Sequence, residues 1–340
     1  MRQSAILLAA AGTLALAAAA EAKTLTISWW GFNGDKLNEL IVQPFQKECG
    51  CELVFETGNN ADRLNKVKIR GGAGVDVIYL TDSFSQIGIE EGLFQPVDRA
   101  KVPNIAGLHA VAQAPQGEFG PAYTVGRIGI VYDAAKVNPP ITSWADLWRA
   151  DLRASVSLPG ITTTAGPMVV MLAGQKAGVD VFADAGPAFA EIAAMKGNVV
   201  KNYNTGSEMI NLFSTGEVTV SMTQDFTLGQ LRAAVPTIEW AKLTDGDIAV
   251  FNTVNIPKGA AEVDLAHQFI NFILDPAIQT VLAEQGVDAP TRADVVLSDA
   301  AAARWTYGAA QIGSLKRIDY GKMNAAKTGW IDRWNEVFGM

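Results

Sequence analysis

The chain reads as an α/β protein of two lobes, each a mainly parallel sheet flanked by helices, joined by a two-strand hinge. Three observations predict this. Short apolar strands alternate with amphipathic helices over residues 24–80 and again over 155–222, the order that builds doubly wound units. Two longer extended stretches, 120–132 and 248–255, read as crossings between such units. Polar clusters, Thr81-Asp82-Ser83 and Gln224-Asp225, follow two of the strands, and open α/β sheets keep their ligands beyond the carboxyl ends of strands.

The chain opens with Arg2, an apolar run over 5–20 and Ala20-Glu21-Ala22, which has the small-x-small form of a cleavage site. This is the pattern of a secretory signal peptide over 1–22, so the mature chain is expected to begin at Lys23 and to be exported to the periplasm. Removing it takes one Arg and one Glu, leaving 318 residues and a formal charge still at −8. That acidity excludes nucleic acid and anionic lipid as partners. The length suffices for two domains, and the expected division is 23–126 with about 253–300 for lobe 1, and 127–252 with about 301–340 for lobe 2.

Cys49 and Cys51 flank Gly50, and either close a small loop or stay a free pair. With His109 and His267 the only histidines, a zinc site lacks ligands, and neither metal nor cofactor is expected. No G-x-S-x-G elbow, H-E-x-x-H or Walker loop occurs, so the chain is not read as an enzyme; two facing carboxylates, as in a glycosidase, are the remaining catalytic alternative.

Taken in order, 24–29 is a strand ending in Trp29 and Trp30, and a GFNG turn from Gly31 leads to Asp35 as cap of a helix carrying Leu37, Leu40, Ile41 and Phe45. Trp29 suits a core, and Trp30 either packs or lines a pocket for a cation or an apolar ligand. Residues 51–56 form a strand, 60–70 a helix ended by Gly71 and Gly72, and 75–80 a strand buried on both faces. In the second lobe, 155–158 and 199–202 are strands and 167–177 and 187–195 helices. Ser207 and Glu208 open a helix that Gly216 stops, and Val218, Val220 and Met222 alternate as a strand. Helices follow from Asp264 and Asp275, with a turn at Asp288-Ala289-Pro290 facing the cleft, and 314–338 is a docked helix with Trp330, Ile331, Trp334 and Phe338 on one stripe.

The succession WWGFN, GVDVIYLTDSFSQIGIEEGLFQPVD, PAYTVGRIGIVYD, TSWADLW, GEVTVSMTQD, NIPKGA and INFILDP resembles, in order and over nearly all of 24–338, the extracytoplasmic solute-binding proteins of ABC importers. TSWADLW is the most specific segment. The similarity is to the polyamine (spermidine/putrescine)-binding branch, whose relatives include ferric-ion, phosphonate and 4-aminobutyrate binders. It implies a type II periplasmic-binding-protein fold, a small solute held between the lobes, delivery to the transmembrane subunits of an ABC permease, and a monomer. Where polyamine binders carry a Trp and a key Asp, this chain has Val250 and Asn252, which argues against a di- or triamine. Ferric binders use adjacent tyrosines, whereas Tyr203 stands alone.

The expected ligand-binding residues are Trp30, Gly31, Thr81, Asp82 and Ser83 from one lobe, Thr163, Thr164, Tyr203, Gln224 and Asp225 from the other, and Arg127 and Asn252 on the crossings. The turn 162–166 before Pro167 either holds an anion or simply caps a helix. Asp225 and Arg127 together suggest a ligand with one amine and one acid; the alternative is that they pair with each other. The expected function is capture of a small amine-bearing solute, polyamine-like or zwitterionic such as 4-aminobutyrate. The alternatives are an anionic or phosphonate-type ligand, or a receptor that presents its ligand to a chemosensor.

Overall fold

The computed structural model describes residues 22–31 and 33–339. The expected leader, but for Ala22, and Phe32 of the GFNG turn lie outside the described residues. Among the described residues, no helix is long and apolar enough to cross a membrane.

The described residues form ten strands: β1 (Thr24–Trp29), β2 (Glu52–Thr57), β3 (Val77–Thr81), β4 (Phe94–Gln95), β5 (Ala122–Asp133), β6 (Val156–Pro159), β7 (Val199–Tyr203), β8 (Val220–Gln224), β9 (Ile238–Trp240) and β10 (Ile248–Pro257). They run β2-β1-β3-β10-β5-β8-β6-β7, with β4 added to β10 and β9 to β5. The outer trios β2-β1-β3 and β8-β6-β7 are parallel, and helices return the chain between their strands. β5 and β10 are antiparallel to each other and to their outer neighbours, β8 and β3. Each is long enough to pair in both halves of the sheet.

The sheet path is continuous, and the cores are not. Leu25, Ile27, Phe45, Phe251, Phe269 and Ile270 pack on one face of the first half, and Leu64, Val67, Ile78, Leu80 and Phe94 on the other. Ile128, Val156, Leu158, Met168, Met222 and Trp334 fill one face of the second half, and Val131, Met209, Phe213 and Leu231 the other. β3 is buried throughout because it is covered on both faces, which is why it reads as an unbroken apolar run. The fold is the two-lobed α/β architecture.

Several local readings change. Asp35 lies in the first turn of its helix, and the N-cap is Asn33, at φ 58°, a left-handed backbone that Asn tolerates. The helical run then passes through a π segment, Asn38–Val42, before Gln43–Cys49. Cys49 and Cys51 are joined as a disulfide. A helix, Asp82–Glu90, begins directly at the end of β3, so Asp82 and Ser83 open it. The last helix is Tyr320–Phe338, capped by Asp319 and stopped by Gly339, shorter than the expected 314–338. Ahead of it, Lys316 bonds through its backbone to Asp247 and Ala249, running beside β10 as a third connection. Ala301, Trp305 and Ile312 belong to the first-half core, whereas Met323, Trp330 and Trp334 belong to the second.

Trp334 is fully buried and docks the last helix on the second half. Trp334→Ala should lower the unfolding free energy by about 3 to 5 kcal/mol in urea titration, through lost burial and the cavity left behind. A loss below about 1 kcal/mol would mean the helix is not docked as described.

Candidate functional site

A cavity of about 450 Å³ opens between the two halves where strand ends face one another. Trp30 after β1, Thr81 at the end of β3, Asp288 and Trp305 wall it on one side; Thr164, Thr205, Gln224 and Phe226 wall it on the other, with Asn252 on β10 between them. It shares Asn59, Asn60, Thr164, Gln224 and Phe226 with a second chamber of about 330 Å³ reaching Thr162, Thr163 and Asn204. The two chambers form one bent cleft, within the volume range of small-molecule sites.

Three aromatic residues shape the first chamber. Trp30 is half-buried and packs against Tyr79 and Tyr123, with ring centroids 6.0 and 6.4 Å away. Trp305 is held by its indole N–H, which donates to the Ala283 carbonyl at 2.9 Å. Phe226 is 49% exposed.

Under Trp30 lies Arg63, fully buried, with its guanidinium 5.1 Å from the ring centroid. Its Nε donates to Gly58 O at 2.8 Å, Nη1 to Ser28 O at 3.0 Å and to Tyr79 O, and Nη2 to Asn60 Oδ1 at 3.0 Å. No carboxylate lies within ion-pair distance of it among the described residues, and burial pulls it down to about 10. Arg63 therefore ties β1, β3 and the 58–60 turn into one rigid wall. Its place on the apolar face of its helix, four residues from Val67, was the sequence signal for a buried cation.

The acid of the cleft is Asp288. Its carboxyl stands beside Trp30, Tyr79 and Tyr123 and has no hydrogen-bond or ion-pair partner among the described residues. Burial pushes it up to about 7. The turn 288–290 was expected to face the cleft, yet Asp288 was not counted among the ligand residues; nor were Trp305, Phe226, Asn59, Asn60 and Thr205.

Besides Asp82–Glu90, which starts at Thr81, three helix N-termini converge on the cleft. Asn59 caps Asn60–Ile69, accepting from Asp62 N at 2.8 Å, and Thr205 caps Gly206–Ser214, accepting from Glu208 N at 3.2 Å. The third is Gly166–Ala177, reached through the 162–166 turn. Their amide ends favour oxygen-rich or negative groups on the second-chamber side.

The predicted residues separate into two sets. Trp30, Thr81, Thr164, Gln224 and Asn252 line the first chamber. Gly31, at φ 78°, is exposed and makes the turn beyond Trp30. Thr163 and Tyr203 border the second chamber with their hydroxyls spent: Thr163 donates to Gly160 O at 2.8 Å and accepts from Gly166 N, and Tyr203 donates to Met222 O at 2.7 Å. Burial also raises the Tyr203 phenol.

Asp82, Ser83, Arg127 and Asp225 line neither chamber. Asp82 accepts from Ser83 N and Phe251 N, and Ser83 Oγ is 3.2 Å from Thr81 Oγ1. Arg127 lies over the Trp240 ring at 4.7 Å and pairs with Asp247 at 3.1 Å. Its Nε is 4.0 Å from Asp225, whose carboxylate accepts from Arg127 N and Thr306 Oγ1. Spacing along the chain placed these groups near the cleft but could not reveal which backbone N–H groups would take them.

A two-lobed sheet with a partly polar cavity between its halves defines a solute-binding protein. Residues 41–309 match the family described as bacterial extracellular solute-binding protein, and the chain belongs to it. It is 25% identical over 298 residues to the putrescine-binding periplasmic protein PotF of Escherichia coli, covering 81% of this chain and 78% of that protein. Among solved structures it is similar to an ABC transporter protein from Clostridium perfringens, 38% identical with a TM-score of 0.82, covering 92% and 99% of the two chains. It also shares its fold with the Atu4243 GABA receptor, at a TM-score of 0.77 and 17% identity, over 93% and 98% of the chains. The protein is a periplasmic-type solute-binding component of the ABC-importer class.

Asp288 carries a pH dependence whose sign follows from its burial. An unfolded Asp titrates near 3.9, so the folded state binds the extra proton between that value and about 7. The cost to folding is present above pH 7 and is lifted as pH falls towards 4. Asp288→Asn should therefore stabilise the ligand-free protein at pH 8, by about 2 kcal/mol with the opening of the carboxyl onto the cleft allowed for. In chemical denaturation the gain should vanish by about pH 4. Equal stability of the two proteins at pH 8 would show that the carboxyl is not desolvated.

Proposed function

We propose that this protein captures a small solute bearing a single ammonium group and an oxygen-rich far end, of the ω-amino-acid type, and delivers it to a membrane permease. The observation that carries this reading is Asp288, an unpartnered carboxylate at an aromatic wall in a cleft with no second acid among its described lining residues. An ammonium on Asp288 gains an ion pair and the faces of Trp30 and Phe226, and relieves the carboxylate's isolation. A diamine would leave its second charge among neutral Thr and Asn side chains and the amide ends of three helices, which repel cations. Lys327 supports the same polarity. It lies over the Phe84 ring at 5.2 Å with its ammonium 3.4 Å from Thr162 O, beside the second chamber, and burial lowers it.

We assign 23–126 with 253 to about 315 to lobe 1 and 127–252 with about 316–340 to lobe 2, moving the expected boundary near 301 to follow the packing of Trp305, Ile312 and Met323. Ligand bridging Asp288 in one lobe and Thr164 and Gln224 in the other shifts the population towards closure, since only the closed form makes both sets of contacts. The closed monomer in the periplasm is the form we assign to the permease.

Calorimetry with 4-aminobutyrate, 4-amino-1-butanol, butyrate and putrescine tests this. The amino acid should bind tightest and butyrate weakest. Asp288→Asn should weaken the amino acid at least 100-fold and Trp30→Ala about tenfold. Affinity in the wild type should fall about tenfold from pH 8 to pH 6 as Asp288 takes up its proton. Binding of butyrate in preference to the amines, or an Asp288→Asn protein with wild-type affinity, would overturn the assignment.

A further inference from the structure

The two acids that the cleft does not use occupy matching places in the fold. β3 ends its pairing with β10 at Thr81↔Asn252, and the next residue, Asp82, reaches the next amide of β10 with its side chain: Phe251 N donates to its carboxylate at 3.1 Å. β8 ends its pairing with β5 at Gln224↔Ile128, and the next residue, Asp225, does the same to Arg127 N at 3.2 Å. Phe251 and Arg127 each stand one residue after the Val250↔Gly126 pair on their own strands. The two contacts are thus related by the local two-fold axis of the β5–β10 ladder.

Asp225, in the second half, also accepts from Thr306 Oγ1 at 2.6 Å, and Thr306 lies between Trp305 and Tyr307, which pack in the first-half core. Beside Asp82, Tyr320 of the second half donates its hydroxyl to the Ala249 carbonyl at 3.3 Å. Asp225 therefore ties a strand end, a hinge strand and the other lobe together. Gly126 makes room for it, since a Cβ there would stand 2.7 Å from Asp225 Oδ1.

We infer that Asp225 is a positioning residue that clasps the two lobes across the hinge through Thr306 and sets the interlobe angle without touching the solute. Rotation of the lobes moves Thr306 relative to Asp225, so this bond holds one angle against others. Burial raises Asp225 to about 6, and Arg127 and Asp247 face it. A clasp that takes up its proton accepts N–H and O–H bonds more weakly, so the angle loosens as pH falls through this value.

Spin labels at Ile69→Cys and Lys196→Cys, exposed on the two lobes, report the angle in the ligand-free chain by electron–electron distance measurement, the native cysteines being tied as a disulfide. Thr306→Val should at least double the width of the distance distribution at pH 8, while Thr306→Ser keeps the wild-type width. The wild-type distribution should broaden from pH 8 to pH 5, and an Asp225→Asn protein should not change over that range. Should the Asp225→Asn protein fail to fold, the hydroxyl variants still decide. A wild-type width in Thr306→Val, or a wild-type distribution indifferent to pH, would overturn the inference.

Discussion

The antiparallel ladder between β5 and β10 is the constraint on which the other features of this molecule depend. From Ile248↔Ile128 to Thr253↔Ala122 it is one set of backbone hydrogen bonds, with a register shift after Asn252. Alternate residues of β10 feed different cores, Ala249 and Phe251 the first and Ile248 and Val250 the second. Neither lobe can be built without the ladder, and no relative motion of the lobes avoids bending it. The cleft lies where it does because the outer strands of both halves end at the ladder's middle.

Four acids of the core and cleft show how structure and function divide the same residue type. Asp76 accepts from Thr26 N, Ala261 N and Glu262 N and closes a strand against a helix start. Asp82 and Asp225 are occupied by hinge amides and hydroxyls. A carboxylate withdrawn from water is costly unless such partners surround it. Asp288 lacks them among the described residues, and its deficit is what the proposed cationic solute would make good. On that proposal, binding affinity is stored as an unsatisfied charge rather than as apolar area alone.

Most of the fold was legible in the sequence because its strands are short, apolar and separated by helices with clear stops. β1, β2 and the two crossings fall within a residue or two of expectation at most of their ends, and Trp29 and Trp30 divide between core and cleft. The π segment after Leu37 left no trace in the hydrophobic pattern, which is nearly the same at either pitch. The candidate site was half legible. Thr81, Gln224 and Asn252, which line the first chamber, were readable as polar residues that end or interrupt apolar strands, and Thr164 as part of the turn before a helix. Asp82, Arg127 and Asp225 do not line that chamber because position at a strand end fixes nearness to the cleft and not the direction of a side chain, which here was decided by free N–H groups on a neighbouring strand. Asp288 and Trp305 come from loops late in the chain whose folding back over the first lobe has no periodic signature.

The central claim is that a cationic group is received at Asp288 while Asp82 and Asp225 remain committed to the hinge. A crystal structure of the mature protein with 4-aminobutyrate tests it most directly. The account predicts the ammonium within hydrogen-bond distance of Asp288, between Trp30 and Phe226, with the carboxylate towards Thr164 and the second chamber. A solute bound to Asp225 and Arg127, or one whose carboxylate faces Asp288, would contradict it.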